Sequence, residues 1–342
     1  MNIYKIALTG GPCAGKTTVF NALKELLKKD GYYIITIPEA ATYLIKNGTP
    51  PLDDRNHALY FQDQILNFQL SRENLAMTYC QQTLKTNPAF FKDCKGIIIL
   101  CDRGIMDNRA YLNQEDYDNL LKRHNLNELE LIYSYDIAIN LISLATTNPE
   151  LYELDGVRYE TPEEAATRDS ITSAAWLLHP HLKMIKPTKT IEEKIELVYN
   201  YIQNDMIGRC ETTNEIVQPT DFNIILNDEN SRTSIITKHH LNNGDLIIKT
   251  KYKDHEYYEL FILTSQEKII LSKEEYLALY NYSHNNETTE ITVTDFVYKG
   301  NHYQRIQTPD SENTYLVNSH ILEQEKSKTR QKTRRNLNNM II

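Results

Sequence analysis

Ile3 to Leu8 is a short, nearly continuous apolar run that stops at Thr9-Gly10-Gly11, the signature of a strand buried on both faces of a sheet. Helical spacing follows. Val19, Phe20, Leu23, Leu26 and Leu27 share one face, Lys24, Lys28 and Lys29 take the other, and Asp30-Gly31 ends the helix. Tyr32 to Ile37 reads as a second strand, closed by Pro38-Glu39. A long helical pattern runs from Asp54 to Leu84, with Phe61, Ile65, Phe68, Leu75 and Met77 among its apolar positions. Gly96 to Cys101 is the clearest buried strand and ends at Asp102-Arg103-Gly104. Ile137 to Leu144 and Leu182 to Ile185 read as further strands, and Ile191 to Met206 as an amphipathic helix.

Strand and helix alternate over the first 206 residues, which predicts a three-layer α/β/α unit around a parallel sheet. The texture changes near Arg209. Short β-prone runs take over (Asn223–Leu226, Leu246–Tyr252, Tyr257–Thr264, Ile291–Tyr298, Tyr315–Val317), broken by Asn, Asp and Gly and interrupted by one helical insert, Lys273 to Tyr280. That is the pattern of a smaller, mainly antiparallel β unit. The expected division is residues 1–208, 209–322 and a basic tail, 323–342, expected to be disordered.

Length supports two unequal domains, since 342 residues exceed one ordinary small domain. The net charge of −9 argues against a nucleic-acid partner, which requires clustered Lys and Arg. Five cysteines without C-x-x-C pairing read as free thiols in a reducing compartment. No apolar run approaches the roughly 18 to 20 residues of a membrane span, and Met1-Asn2-Ile3-Tyr4 does not open a signal peptide, so a cytoplasmic setting is expected.

The chemistry starts at Gly10-Gly11-Pro12-Cys13-Ala14-Gly15-Lys16-Thr17-Thr18, which fits G-x-x-x-x-G-K-[ST]. Small residues let successive amides turn inward around a polyphosphate, and the following helix points its positive end at the same anion. The Lys16 ammonium can reach the β and γ phosphates, and the Thr17 hydroxyl can ligate Mg²⁺. The cofactors expected are ATP or GTP with Mg²⁺.

Three kinds of phosphate-loop protein compete for this pattern. A small GTPase would carry N-K-x-D, which the chain lacks. A motor ATPase would follow its strand-end Asp with a water-activating Glu, but Asp102 is followed by Arg103, which stays protonated and cannot act as a base. A small-molecule kinase needs a carboxylate base, an acid for the metal and arginines for the moving phosphoryl group. Glu39 after the second strand is the candidate base. Asp102 joins Thr17 as a metal holder, and Arg103 serves as a charge stabiliser or as the partner of Asp102 or Glu39. Both strand ends open onto the crevice beside the phosphate loop. A water-excluding lid is expected from the charged segment Gly156 to Asp169, with Arg158 and Arg168 as its candidate arginines. His179-Pro180-His181 reads as capping and packing rather than as a zinc site.

Together "GGPCAGKTT", "IPEAA", "YFQDQILNFQLSRENLA", "IIILCDRG", "DGVRYETPEEAATRD" and "AAWLLHPHLKMI" resemble the NadR-like P-loop domain, of the AAA-type ATPase and nicotinamide ribonucleoside kinase kind. That domain is also found in the TRPL translocation-defect family of GTP- and phospholipid-binding proteins. The resemblance covers roughly Met1 to Met206. It implies a P-loop NTPase fold, phosphates on Gly15, Lys16 and Thr17, Mg²⁺ near Thr17 and Asp102, an acceptor near Glu39, and Arg103 and Arg158 on phosphates. The family continues its "HPH" stretch with an isoleucine, an acidic residue and Asn, whereas here Met184-Ile185 runs into Lys186-Pro187. ATP and GTP therefore both stay open.

The stretches "ILSKEEYLALYNYS" and "ITVTDFVYKGNHYQRIQTP" resemble the end of a CYTH-like domain. Such tunnels hold polyphosphates or phospholipid headgroups with rings of inward charges. Thr294-Asp295-Phe296 stands where basic residues would be needed, which implies a degenerate module: a binding or regulatory surface rather than a second catalytic site. The expected function is γ-phosphoryl transfer to a nucleoside-like small molecule bearing a hydroxyl. The alternative is a nucleotide-gated protein whose C-terminal unit binds a phospholipid or protein partner. The tail's Lys326, Lys328, Arg330, Lys332, Arg334 and Arg335 could also touch an anionic membrane surface.

Overall fold

A computed structural model of the chain describes residues 1–52, 54–147, 149, 161–206, 215–217, 225–265, 267–282 and 288–317. Five parallel strands make the first sheet, in the order β2-β3-β1-β4-β5: β1 Ile3–Gly10, β2 Tyr32–Ile37, β3 Gly96–Asp102, β4 Ile137–Leu141 and β5 Leu182–Ile185. β3 shows how the sequence builds two cores. Ile98 and Leu100 point to the layer formed by α1 (Lys16–Lys29) and α8 (Ile191–Met206), where they meet Leu23, Leu27 and Ile202. Ile97, Ile99 and Cys101 point the other way, onto Leu66 and Cys80 of α3 (Arg55–Thr86) and Trp176 just after α7 (Pro162–Ala175). Period-two alternation in a fully apolar strand thus feeds both faces, which is why it reads as a continuous hydrophobic run.

Shorter helices complete this half: α2 Ala40–Lys46, α4 Gln114–Arg123, α5 Glu128–Tyr133 and α6 Leu144–Thr147. A 3-10 helix, Ile105–Tyr111, follows β3. Local chemistry sets several starts. Asp54 caps α3 by accepting from the His57 amide at 2.9 Å. Thr161 and Glu164 form a reciprocal capping box on α7, with Pro162 in its first turn.

The second sheet is antiparallel, with eight strands in the order β10-β9-β8-β7-β11-β12-β13-β6. They are β6 Glu215–Val217, β7 Ser231–His240, β8 Leu246–Tyr252, β9 His255–Ile262, β10 Glu267–Leu271, β11 Thr288–Tyr298, β12 Asn301–Gln307 and β13 Glu312–Val317, with α9 Lys273–Tyr282 between β10 and β11. Two hairpins turn on two residues each, Lys253-Asp254 and Lys299-Gly300, with positive φ at Lys253, Lys299 and Gly300. That conformation matches the right-handed twist of the strands it joins.

The α/β unit and the later antiparallel sheet agree with the sequence reading. Some elements differ. The fourth strand stops at Leu141, because Ser143 is already engaged in a turn, its amide donating to Asp169 and its hydroxyl accepting from the Ala145 amide. Ile225 and Leu226 are not in a strand, and the rest of the Asn223–Leu226 run lies outside the described residues, as do Arg158, Gly156 and the basic tail. β7 and β12 carry too many polar positions to stand out by alternation, and β10 is only five residues long. Helix α5 packs on β9 of the second sheet: Asn127 donates to the Glu256 carbonyl at 3.1 Å, and the rings of Tyr133 and Tyr257 meet edge to face with centroids 4.3 Å apart.

Candidate phosphate-binding site

The loop between β1 and α1 is shaped by its glycines. Gly10 has φ 137°, and a Cβ there would lie 2.1 Å from the Leu141 carbonyl oxygen. Gly15 sits in the left-handed region at φ 82° and immediately precedes α1. Cys13 also takes a positive φ, 57°. This alternation of backbone conformations turns successive amides to one side, making an anion-binding concavity. Side chains from distant elements fix the loop. Asp169 of α7 accepts from the Gly11 amide at 2.8 Å, the Ser143 hydroxyl donates to the Pro12 carbonyl at 2.6 Å, and Lys194 of α8 donates to the Ala14 carbonyl at 3.0 Å.

Lys16 opens α1 and folds back over the loop, donating to the carbonyls of Gly10 at 2.9 Å and Gly11 at 2.6 Å. Burial, followed by the nearby Arg103 guanidinium, lowers its pKa to about 8. Thr17 and Thr18 are exposed at the start of the helix.

Arg103 joins the strand ends. Its Nε donates to Glu39 Oε1 at 2.6 Å, and its Nη1 donates to Asp107 Oδ2 at 3.0 Å and reaches the Gly10 carbonyl at 3.3 Å. Its backbone is left-handed, φ 69°, and its carbonyl accepts from Gln69 at 2.9 Å. Glu39 is the residue before α2. Its second oxygen accepts from the Thr42 hydroxyl at 2.6 Å, and it makes no side-chain cap to the helix amides. Burial pushes the Glu39 carboxyl up, but the Arg103 guanidinium, the Thr42 hydroxyl and Lys16 outweigh it and hold the group below the ordinary range. Asp102 responds oppositely: burial and the neighbouring Glu39 raise it to about 6.

Two anchors were not singled out in the sequence. Asp107 is 3% exposed and accepts from the Thr9 hydroxyl at 2.7 Å and from Trp176 Nε1 at 2.7 Å, besides its pair with Arg103. Asp169 accepts from Gly11, Ser143 and Thr146. Only its position beside Arg168 marked it, and Asp107 looked like an ordinary turn residue. The structure therefore gathers Lys16, Glu39, Asp102 and Arg103 at one edge of the sheet. Arg168 sits over the Tyr111 ring, 4.9 Å from its centroid, and Arg158 is outside the described residues. His179 packs and caps: its Nε2 faces the Tyr135 carbonyl at 2.9 Å, its Nδ1 accepts from the His181 amide, and burial drives its pKa to about 3, so the ring is neutral.

A parallel sheet with a glycine loop leading into α1, and helices on both faces, defines a P-loop α/β protein. Residues 5–194 match the family described as AAA domain, more than half of the chain, and the chain belongs to that family. No curated protein matches it. Among solved structures it is similar to a mutant of the Mycobacterium tuberculosis APS kinase CysC, at 10% identity, over 58% of this chain and 96% of that one, with a TM-score of 0.26. It is also similar to the hypothetical protein NE1496, at 8% identity, over 31% and 76%, with a TM-score of 0.23. Likeness at that level says nothing about what this chain acts on.

Proposed function

We propose that the chain is a nucleoside-triphosphate-dependent phosphotransferase that moves a γ-phosphoryl group from ATP or GTP to a hydroxyl of a small, nucleoside-like acceptor. The observation that carries this reading is the bridge made by Arg103, one guanidinium that touches both Glu39 and the Gly10 carbonyl. It ties a carboxylate kept ionised to the phosphate loop, the arrangement a base needs to meet an acceptor beside the γ-phosphate. The loop amides and Lys16 would hold the phosphates, and Arg103 would stabilise charge on the moving group. Glu39 Oε1 and Oε2 already accept two hydrogen bonds, so they would take the acceptor's proton through their remaining lone pairs.

The residues fit a magnesium ion. Asp102 is raised by burial and by Glu39, a crowding of negative charge that a divalent cation relieves, and the exposed Thr17 hydroxyl supplies a neutral oxygen. Bound by Thr17 and Asp102, Mg²⁺ would neutralise phosphate charge. The resemblance to the NadR-like domain supports the nucleoside-like acceptor, with Arg158 closing over the phosphates. The units are read as 1–208, a CYTH-like 209–322 and the tail.

A second reading is favoured by the contacts of helix α5 with β9: nucleotide occupancy sets the affinity of the antiparallel unit for a lipid or protein partner. Thermal unfolding with ATP, GTP and Mg²⁺ is the first test. Ligand at 100 times its dissociation constant should add about 2.7 kcal/mol. Lys16→Ala should abolish that gain; absence of any gain in the parent chain would sink both readings. Phosphate transfer to a nucleoside panel, lost in Glu39→Gln, then separates enzyme from switch.

A further inference from the structure

A second recognition surface lies far along the chain from the phosphate loop, where the edge strand β10 meets α5. Among the described residues β10 is hydrogen-bonded on one side only, to β9, in an uninterrupted register from Glu267 opposite Ile262 to Leu271 opposite Tyr258. It has neither proline nor bulge to blunt its outer edge. Its centre is apolar and open: Ile270 is 68% exposed and Ile269 45%. Such an edge is a template for another strand unless something covers it, and its one lysine, Lys268, lies 3.9 Å from Glu259 of β9.

The strand runs directly into a cleft of about 490 Å³. It is lined by Glu130 and Tyr133 of α5, by Asp254 and Tyr257, and by Lys273, and Ile270 borders it. Among the described residues no Lys or Arg pairs with Glu130 or Asp254, whereas Glu256 is satisfied by Lys249 at 2.6 Å and Lys273 at 3.5 Å. The lining carboxylates Glu130, Asp254 and Glu256 outnumber Lys273, the one cation among them, so the cleft suits a further guanidinium or ammonium group.

We propose that β10 and this cleft together bind an extended segment of a partner protein. The segment would add to the sheet as a ninth strand and place one Arg or Lys side chain in the cleft, against Glu130 and Asp254. Main-chain pairing along β10 would supply affinity, and the cleft would supply specificity, the division of labour usual in strand addition. An acidic segment is excluded by Glu130 and Asp254.

The test is selection from a phage library of random heptapeptides on the immobilised full chain. The expected consensus alternates β-branched residues and carries one Arg or Lys at a fixed position. A synthetic peptide of that consensus should bind at least tenfold more weakly to Ile270→Lys, and likewise to the Glu130→Gln/Asp254→Asn double variant. Both variants should keep the parent's thermal unfolding midpoint, because all three side chains are at the surface. The proposal is overturned if no consensus emerges, if the consensus is acidic, or if binding ignores both variants. It is equally overturned if sedimentation shows a dimer that Ile270→Lys dissociates, since a second copy would then own the edge.

Discussion

The Asp169 carboxylate occupies the space that a side chain on residue 11 would need. Its Oδ1 accepts from the Gly11 amide at 2.8 Å, and a Cβ built on Gly11 would lie 2.4 Å from that same oxygen. The glycine is therefore required by a residue 158 positions away, as well as by the loop's own turn. Through Asp169, helix α7 is fastened to the phosphate loop and to the Ser143–Thr146 turn in one contact set.

This relationship predicts strong non-additivity. Gly11→Ala alone forces the carboxylate out of place and should cost about 1–3 kcal/mol, the usual range for overpacking. Asp169→Ala leaves the Gly11 and Ser143 amides and the Thr146 hydroxyl without their acceptor, and buried orphans cost about 1–3 kcal/mol each. In the Asp169→Ala background the added methyl meets neither the oxygen nor Cγ, and only its 2.6 Å approach to the Cβ of residue 169 is left to relax. A double-mutant cycle by urea unfolding should therefore return a coupling of about 1–3 kcal/mol. Simple addition of the two losses would show that the two residues do not share this space.

The Arg103 bridge predicts different kinetic signatures for its two ends. Glu39→Gln keeps the shape but removes the base, so kcat should fall by about 10²–10⁴ with the nucleotide KM nearly unchanged. Arg103→Lys keeps the charge but loses the fork, since one ammonium cannot hold Glu39, Asp107 and the Gly10 carbonyl together. It should weaken nucleotide binding as well as turnover. Equal effects of both substitutions on KM would break the assignment.

The two shifted groups beside the loop give the free protein a stability profile with a dip. Asp102 is raised from 3.8 to about 6, so between those values the folded state holds a proton that the unfolded chain releases. Its contribution to stability falls as pH rises from about 4 to 6. Lys16 is lowered from 10.5 to about 8, so the unfolded chain binds the extra proton in that window and stability recovers as pH rises through it. Asp102→Asn should accordingly raise Tm at pH 7 and change it little at pH 4. Mg²⁺ with nucleotide should stabilise the parent and leave this variant almost unmoved. An Asn variant less stable than the parent at pH 7 would contradict the crowding of Asp102 with Glu39.

Much of this architecture was legible in the chain. The buried strands stood out because Ile97 to Cys101 feed two cores at once, and the loop stood out because phosphate chemistry confines it to small residues and Lys16. Arg103 was readable as a partner of a carboxylate, but which one depended on rotamers that no spacing encodes. Asp107 and Asp169 escaped notice because each sits among other polar residues, and its importance lies in donors brought from distant parts of the chain. In the antiparallel sheet, β7 and β12 hid because they bury Arg232, Ser234 and His302, polar residues that only partners across the fold make tolerable.

One such partnership predicts how the two sheets share stability. Arg109, 4% exposed, donates to the Asp228 carbonyl at 2.8 Å and to Gln114 at 2.7 Å. Nearby, Arg232 of β7 is lowered first by burial and then by Arg109 itself, and the fully buried Glu128 of α5 counters both. Removing Arg109 orphans its Asp228 and Gln114 acceptors and leaves Glu128 less compensated, and each buried orphan costs about 1–3 kcal/mol. Arg109→Met should fall in that range, and adding Glu128→Gln should recover part of the loss, because no carboxylate then remains to be balanced. Calorimetry carries a second readout. The parent should unfold in one transition, whereas Arg109→Met, with its link to the Asp228 turn cut, should let the antiparallel sheet melt ahead of the nucleotide-stabilised sheet. If the variant still melts in a single nucleotide-sensitive transition, Arg109 is a local packing residue and the sheets are coupled elsewhere, through Asn127 and Tyr133.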